Sequence, residues 1–323
     1  MMRKKILSTA VLLFLLVVAT PLPAVENTTI EVMVLSGTTG LSLVKMVEEK
    51  PTLLPGVTLN YTVLKSPDQM SAKIIAGEAD IAAVPTNLAA ILYNRGIPIQ
   101  LAAITNWGVM YVIGRASTAI TSWPELKGQE IGVTGKGSTP DLLFRYFLSA
   151  NGLDPEKDLQ IQYYPSPAEL AQLVIAGKVA VATLPEPWVT EALARNPDLQ
   201  VLLDYQAEWK RLEERNESYP QSALVVKTEL ATTNPALVKT FLQAAEAAST
   251  WVVEHPAAAG RLAEKHLFIS ATAAAQAIPR CHLRLNGAYQ VQSEIDYFLK
   301  KLYSFQPQSI GGKIPDAGFY LPE

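Results

Sequence analysis

One pattern occurs twice in this chain, one hundred residues apart, and that repeat constrains the fold more than any other feature. Gly37 and Thr39 recur as Gly137 and Thr139, Leu53 and Pro55 as Leu153 and Pro155, and Ser66-Pro67 as Ser166-Pro167. Ile75-Ala76-Gly77 recurs as Ile175-Ala176-Gly177, Ala82 and Pro85 as Ala182 and Pro185, and Arg95 and Gln100 as Arg195 and Gln200. The Gly and Pro matches carry the weight, because those residues mark turns with special backbone angles. The period is too long for a solenoid, whose repeats run roughly 20–50 residues. It predicts two lobes of like fold, with residues 36–100 superposing on 136–200 strand for strand and without a gap.

Inside each copy, short apolar runs alternate with helical patterns. Ile30 to Leu35 read as a buried strand, and Leu41, Val44 and Val47 share one helix face. Strands follow over 57–64, 80–84 and 99–104, and helices begin after Ser66-Pro67 and at Pro85-Thr86-Asn87. The second copy has strands over 130–133, 159–163, 179–183 and 199–203. This rhythm predicts an α/β protein, each lobe a mostly parallel sheet flanked by helices. Trp123 reads as a packing anchor in a connector. After a last strand at Ala223-Leu224-Val225-Val226 the chain reads as helical, with Asn234-Pro235 a cap followed by first-turn Pro. The stripe of Leu237, Val238, Phe241, Leu242, Ala245, Ala248 and Val252 reads as core packing.

At 323 residues the chain is long enough for two such lobes. The N-terminus has the parts of a secretory signal over residues 1–24: Arg3-Lys4-Lys5, an apolar stretch over 6–19, and a cleavage region ending at Ala24. An uncleaved membrane anchor is the rival reading. Cleavage predicts an exported protein in the periplasm or another extracytoplasmic space. It would also take the formal net charge from −3 to about −6. No later Lys/Arg run exists, which argues against nucleic-acid binding. Cys281 is the only cysteine, so it has no internal disulfide partner, and it reads as a small buried apolar residue. His255, His266 and His282 lie far from the turns of the repeat. There is no HExxH, no Cys/His metal spacing and no Gly-x-Ser-x-Gly elbow. We therefore expect no catalytic residue, no metal and no cofactor.

Ligands of open parallel sheets bind beyond the carboxyl ends of the strands, where helix N-termini present N–H groups. The repeat supplies turns of that kind in both lobes. In the first they hold Ser36, Gly37, Thr38 and Thr39; Lys65 and Ser66; Thr86 and Asn87; and Asn106 and Trp107. In the second they hold Gly137, Ser138 and Thr139; Ser166; and Glu186 and Trp188. Facing lobes would line one cleft with hydroxyls, amides and indoles, suited to reversible capture of a small polar molecule. The same residues have plainer uses: Gly37 and Gly137 can serve the turn alone, and Thr39 and Ser138 can simply cap helices.

The signal-like N-terminus, the paired Ile-Ala-Gly…Pro segments, Ile131-Gly132-Val133-x-Gly135-x-Gly137-Ser138 and Pro185-Glu186-Pro187-Trp188 together resemble periplasmic solute-binding proteins of ABC importers. Within that class it looks like the nitrate/sulfonate/taurine and thiamine-pyrimidine-precursor binders. The resemblance implies a two-lobe type II fold with the ligand cleft between lobes. Lobe 1 would comprise 27–113 and 223–323, with lobe 2, 114–222, inserted. It implies hinge closure about crossings near 113–116 and 218–223, a monomer, and docking on a membrane permease with its ATPase. The Cys-rich signature of the related pyrimidine-forming enzymes is missing. An enzyme on the same scaffold and a sensory ligand-binding module stay open beside this reading. Ligand turnover by purified protein would mark the first, and a receptor gene beside this one the second.

Two turns set the expected ligand polarity. Gly137-Ser138-Thr139 offers free N–H groups to an anionic or acceptor group. Glu186 beside Trp188 suits an amino group or a donor-bearing ring. An organic ligand carrying a donor is therefore expected over a bare anion such as nitrate, unless Glu186 only caps its helix.

Overall fold

A computed structural model describes residues 28–323. The signal segment expected over 1–24 lies outside the described residues. Strand β1 (Thr28–Leu35) is followed by α1 (Thr38–Glu49), β2 (Val57–Leu64), α2 (Pro67–Ile75), β3 (Ile81–Pro85), α3 (Thr86–Asn94) and β4 (Ile99–Trp107). The chain then enters β5 (Met110–Arg115), and the pattern restarts with β6 (Glu130–Thr134), α4 (Thr139–Ala150), β7 (Gln160–Tyr164), α5 (Pro167–Ile175), β8 (Val181–Pro185), α6 (Trp188–Arg195) and β9 (Leu199–Asp204). Helix α7 (Tyr205–Glu213) leads to β10 (Pro220–Lys227), α8 (Thr228–Thr233), α9 (Pro235–Glu254), α10 (Pro256–Leu267), α11 (Ala271–Ala277), β11 (Leu283–Gly287) and α12 (Gln292–Phe305).

The strands form two sheets, ordered β2-β1-β3-β10-β4-β11 and β7-β6-β8-β5-β9. The two copies therefore share one strand order. In each sheet the fourth strand runs antiparallel and comes from outside its copy: β10 lies between β3 and β4, and β5 between β8 and β9. The chain leaves the first sheet after Trp107 and re-enters it at Pro220. The first crossing thus falls at Gly108-Val109, upstream of the expected 113–116, because Met110–Arg115 pairs with β8 and β9. The expectation that the end of the chain is all helical also fails, since Leu283–Gly287 adds an edge strand beside β4.

The repeat has a gap after all. In the sheets Val32 pairs with Ile81 and Ile131 with Val181, so β1 and β6 correspond at an offset of 99. The helices after them begin at Thr38 and Thr139, an offset of 101. The connecting loop is two residues longer in the second copy, so Ser138, not Gly137, stands where Gly37 does as the helix cap. From the next helix onward the offset is one hundred. Ser66 and Ser166 each cap a helix by accepting an N–H three residues on, with Pro at the first helical position.

Both sheets bury apolar strands under helices. Val32, Val34, Leu224 and Val226 meet the stripe of α9, with Leu237, Val238, Phe241 and Ala245. In the second sheet, Trp123 packs edge-on against Phe147 at 5.1 Å between centroids and lies 5.6 Å from Tyr205, the anchoring role expected of it. Among the described residues no helix is long and apolar enough to cross a membrane.

Candidate functional site

The carboxyl ends of β1, β2, β7 and β8 meet at a cavity of about 290 Å³, lined on one side by Ser36, Val63 and Lys65 and on the other by Ser166, Pro167 and Trp188. Phe268 closes the rim. A second, more open outer cavity of about 530 Å³ adjoins it, shares Ala168, Trp188 and Phe268 with the first, and carries Glu169, Glu191, Glu264 and Arg195 on its other walls.

Helix α1 starts at this place with Gly37 as its cap, at φ 131° and ψ −154°, and no side chain bonds its first turn. The N–H groups of Thr38 and Thr39 have no acceptor within the helix, since the first turn of any helix leaves its donors unmade. Both residues are buried. Thr39 turns its hydroxyl back to the Leu35 carbonyl (3.0 Å), and Ser36 donates to the Leu267 carbonyl (2.7 Å). Trp188 is only 5% exposed, and its Nε1 has no acceptor; a Cβ built on Gly37 would lie 4.0 Å from that nitrogen. Thr86 Oγ1 is also buried without a partner. Lys65 is exposed, and among the described residues no carboxylate lies within ion-pair distance of it. In the inner cavity the unmatched groups are donors and a cation, while the carboxylates of Glu169, Glu191 and Glu264 line the outer one.

The other expected ligand groups are already engaged. Asn87 is wholly buried; its amide donates to the carbonyls of Gly137 and Ser309, both at 3.0 Å, and its oxygen accepts from Thr139 Oγ1 at 2.9 Å. That cluster joins the two lobes. The Gly137 N–H donates to Asp141 Oδ2 (2.8 Å), and the Ser138 hydroxyl to the Gly135 carbonyl (2.6 Å). An acidic side chain therefore already sits where an anion was expected. Asn106 is buried in β4 with its Nδ2 unpartnered, and Trp107 gives its Nε1–H to Asn286 (3.2 Å). Neither lines the cavity. Ser66 serves chiefly as the α2 cap.

Glu186 also departs from expectation. Its carboxylate has no exposed surface, accepts the Thr190 N–H at 3.1 Å, and pairs with Arg280 of the first lobe. Burial pushes its carboxyl up, against the opposing pull of Arg280. With Arg280 in place its charge is already matched within the protein. Lys65 and Ser166 stood in turns already read as cleft turns; Phe268 and Arg280 are the residues that sequence reasoning passed over. Phe268 and Arg280 lie outside the repeat, where no internal comparison could single them out.

This fold, two α/β sheets facing across a cleft at their strand ends, is that of two-lobe solute-binding proteins. The chain belongs to the NMT1-like family, whose model matches residues 24–265. A crystal structure described as an ABC transporter from Parabacteroides distasonis is 30% identical, with a TM-score of 0.76, covering 92% of this chain and 99% of that one. The aliphatic sulphonate binding protein SsuA of Escherichia coli superposes with a TM-score of 0.74 at 16% identity, covering 91% of this chain and 92% of that one. The nitrate/nitrite binding protein NrtA of Synechococcus elongatus is 32% identical over 125 residues, 39% of this chain and 26% of that protein. The chain thus spans about a quarter of the length of that curated relative.

Proposed function

We propose that this chain is the extracytoplasmic solute-binding component of an ABC-type importer. It captures a small solute by an acidic head group and delivers it to a membrane permease and its ATPase. The observation that carries this reading is the convergence of unmatched donors at the cavity. The uncapped start of α1, the indole N–H of Trp188 and the free ammonium of Lys65 all lack acceptors. A sulfonate or carboxylate supplies oxygens for each of them, and a helix N-terminus favours negative charge. The similarity to an ABC transporter and to a sulphonate-binding protein supports the same class.

Binding rather than turnover suits the groups present. Cys281 is wholly buried and burial pushes its thiol well up, which leaves it unreactive. In this reading the lobes divide as 28–107 with 220–323, and 110–213. They hinge at the two crossings, the chain works as an exported monomer, and the cleft opens to admit the solute.

Isothermal titration of the purified protein with methanesulfonate, butanesulfonate, acetate and butyrate, alongside a pyrimidine and an amine without an acid, tests the reading. Saturable binding confined to the acids is expected. Binding of the amine or the pyrimidine alone would refute it.

A further inference from the structure

Phe268 is the most exposed large hydrophobic residue among those described, at 74%. It is also in the left-handed region, at φ 59° and ψ 34°, where it ends α10 with its N–H on the Ala263 carbonyl. Glycine takes that conformation freely, whereas a side chain with a Cβ is strained there. An exposed aromatic ring in a strained backbone position gains nothing for the fold on either count. Local strain of this kind gathers at functional sites.

The surroundings hold the ring in place. Leu267 and Ile269 on either side of it are wholly buried, and the Leu267 carbonyl is the acceptor of the Ser36 hydroxyl at the cavity. The ring therefore projects from a fixed point at the rim. It borders both the inner and the outer cavity, opposite Trp188 and Ala168. The donors that would hold an acid lie on the inner side, at α1 and Lys65. Val63, Pro167 and Ala168 continue an apolar wall from there to Phe268.

We infer that Phe268 is a specificity-determining residue that selects solutes with an apolar arm attached to the acidic group, against bare inorganic oxyanions. This rests on the reading of the cavity given above. The ring is left uncovered by the protein because the arm of the solute covers it, and one inner cavity of about 290 Å³ is far roomier than a triatomic or tetra-atomic anion fills. The outer cavity carries Glu169, Glu191 and Glu264, so the arm lies along the apolar inner wall up to Phe268.

The test is a titration series in the full chain: nitrate, then methanesulfonate, butanesulfonate and hexanesulfonate. Affinity should rise along the sulfonates by about fourfold per methylene buried, the ratio given by the transfer of one CH₂ from water. Phe268→Gly should lower the affinity for hexanesulfonate about tenfold and leave methanesulfonate within twofold. The same variant should melt at a higher temperature than the native protein, because Gly relieves the left-handed strain. Phe268→Leu should restore most of the hexanesulfonate affinity. A role confined to the fold would not give opposite signs for stability and affinity. Equal affinities for methanesulfonate and hexanesulfonate, tighter binding of nitrate than of either, or no effect of Phe268→Gly on the longer sulfonate would overturn the inference while leaving the acid site standing. Failure of every anion to bind would overturn the acid site and the inference together.

Discussion

Arg280 and Glu186 meet across the two lobes, a cation from the segment after α11 against a carboxylate at the start of α6. Arg280 Nη2 also donates to Thr190 Oγ1 at 2.8 Å, and its guanidinium lies 5.7 Å from the Tyr111 ring centroid. All three partners belong to the second lobe. Ser270 reinforces the junction by donating to Glu191 at 2.7 Å. The two lobes are thus joined by contacts that need no solute.

Removing the cation should loosen that junction. Arg280→Ala strands a carboxylate that burial already disfavours, and breaking a buried pair costs about 3–5 kcal/mol. Arg280 keeps 42% of its side-chain surface in solvent, so the lower end of that range applies. The lobes avoid the cost by opening, so the solute-free variant should show a larger radius of gyration in X-ray scattering. Glu186→Gln should have a smaller effect, because the amide oxygen still accepts from Thr190 and carries no charge to desolvate. An unchanged radius in Arg280→Ala would remove the clasp from the account.

Glu213 fastens the lobes on the hinge side and should give an acid-sensitive step. It ends α7 and accepts from Tyr297 at 2.7 Å and Lys301 Nζ at 2.7 Å, both on α12, and from Tyr146 on α4. Burial alone would raise its carboxyl, but the donors from Lys301, Tyr146 and Tyr297 outweigh it and hold the group below its ordinary range. The folded protein therefore binds this proton less readily than the unfolded chain. Its contribution is present above about pH 4.3, the ordinary carboxylate value, and fades as pH falls through the lowered one. Glu213→Gln should lower the melting temperature at pH 7 and flatten its fall below pH 4. A parallel fall in both proteins would exclude this residue as a source of the acid limb.

The two-lobe fold was legible because Gly and Pro punctuate the repeat at Gly77, Pro85, Gly177 and Pro185. That the two copies share a strand order was legible for the same reason, but the order itself was not. The strand β5 was placed with the first lobe, although it pairs with β8 and β9 of the second, because only tertiary contacts decide that; β10 was placed in the first lobe by the resemblance alone. A constant offset hid the two-residue loop difference, since the loss is made up before α2 and α5. That difference mattered: Gly135 to Ser138 folds on itself and onto Asp141, so the second lobe's first turn is no copy of the open turn at Gly37. Composition placed Glu186 and Trp188 side by side, but the structure sends the carboxylate to Arg280 and leaves the indole N–H free. Nothing local marks Arg280 as its partner, 94 positions along the chain.

Gly108 should be intolerant of any side chain. Its φ is +23°, and an added Cβ would meet Ser218 Oγ and lie 2.8 Å from Gln206 Cγ. Its N–H donates to the Tyr219 carbonyl at 3.0 Å, which ties the first crossing to the second. Gln206 in turn clamps Met110, accepting from its N–H at 3.1 Å and donating to its carbonyl at 3.2 Å. Gly108→Ala should destabilise the protein by about 2 kcal/mol, the usual scale for overpacking. Urea denaturation would measure it, and the double variant with Ser218→Gly should recover part of the loss. Native-like stability in the single variant would mean the crossing has slack that this geometry denies.

Lys65 should control affinity for acidic solutes, and Lys136 should not. Both lysines stand at turns beyond strand ends, so the unadjusted repeat gives no reason to prefer one. Their surroundings differ. Lys65 faces Ser36, Ser166 and Trp188 with no carboxylate to neutralise it. Lys136 sits 5.0 Å from the Tyr163 ring centroid and shares a cavity with Asp141, Arg145 and Glu156. Lys65→Gln removes a charged hydrogen bond to the head group, worth about 1.5–3 kcal/mol. Solvent access at the rim places the loss near the lower figure, roughly tenfold in Kd. The native protein should also lose affinity as salt is raised, since an exposed cation is screened over about 8 Å at physiological ionic strength, and Lys65→Gln should lose most of that dependence. Lys136→Gln should bind butanesulfonate as the native protein does. A loss confined to Lys136→Gln would move the acid to the turn at Gly137, and with it the whole orientation of the solute in the cleft.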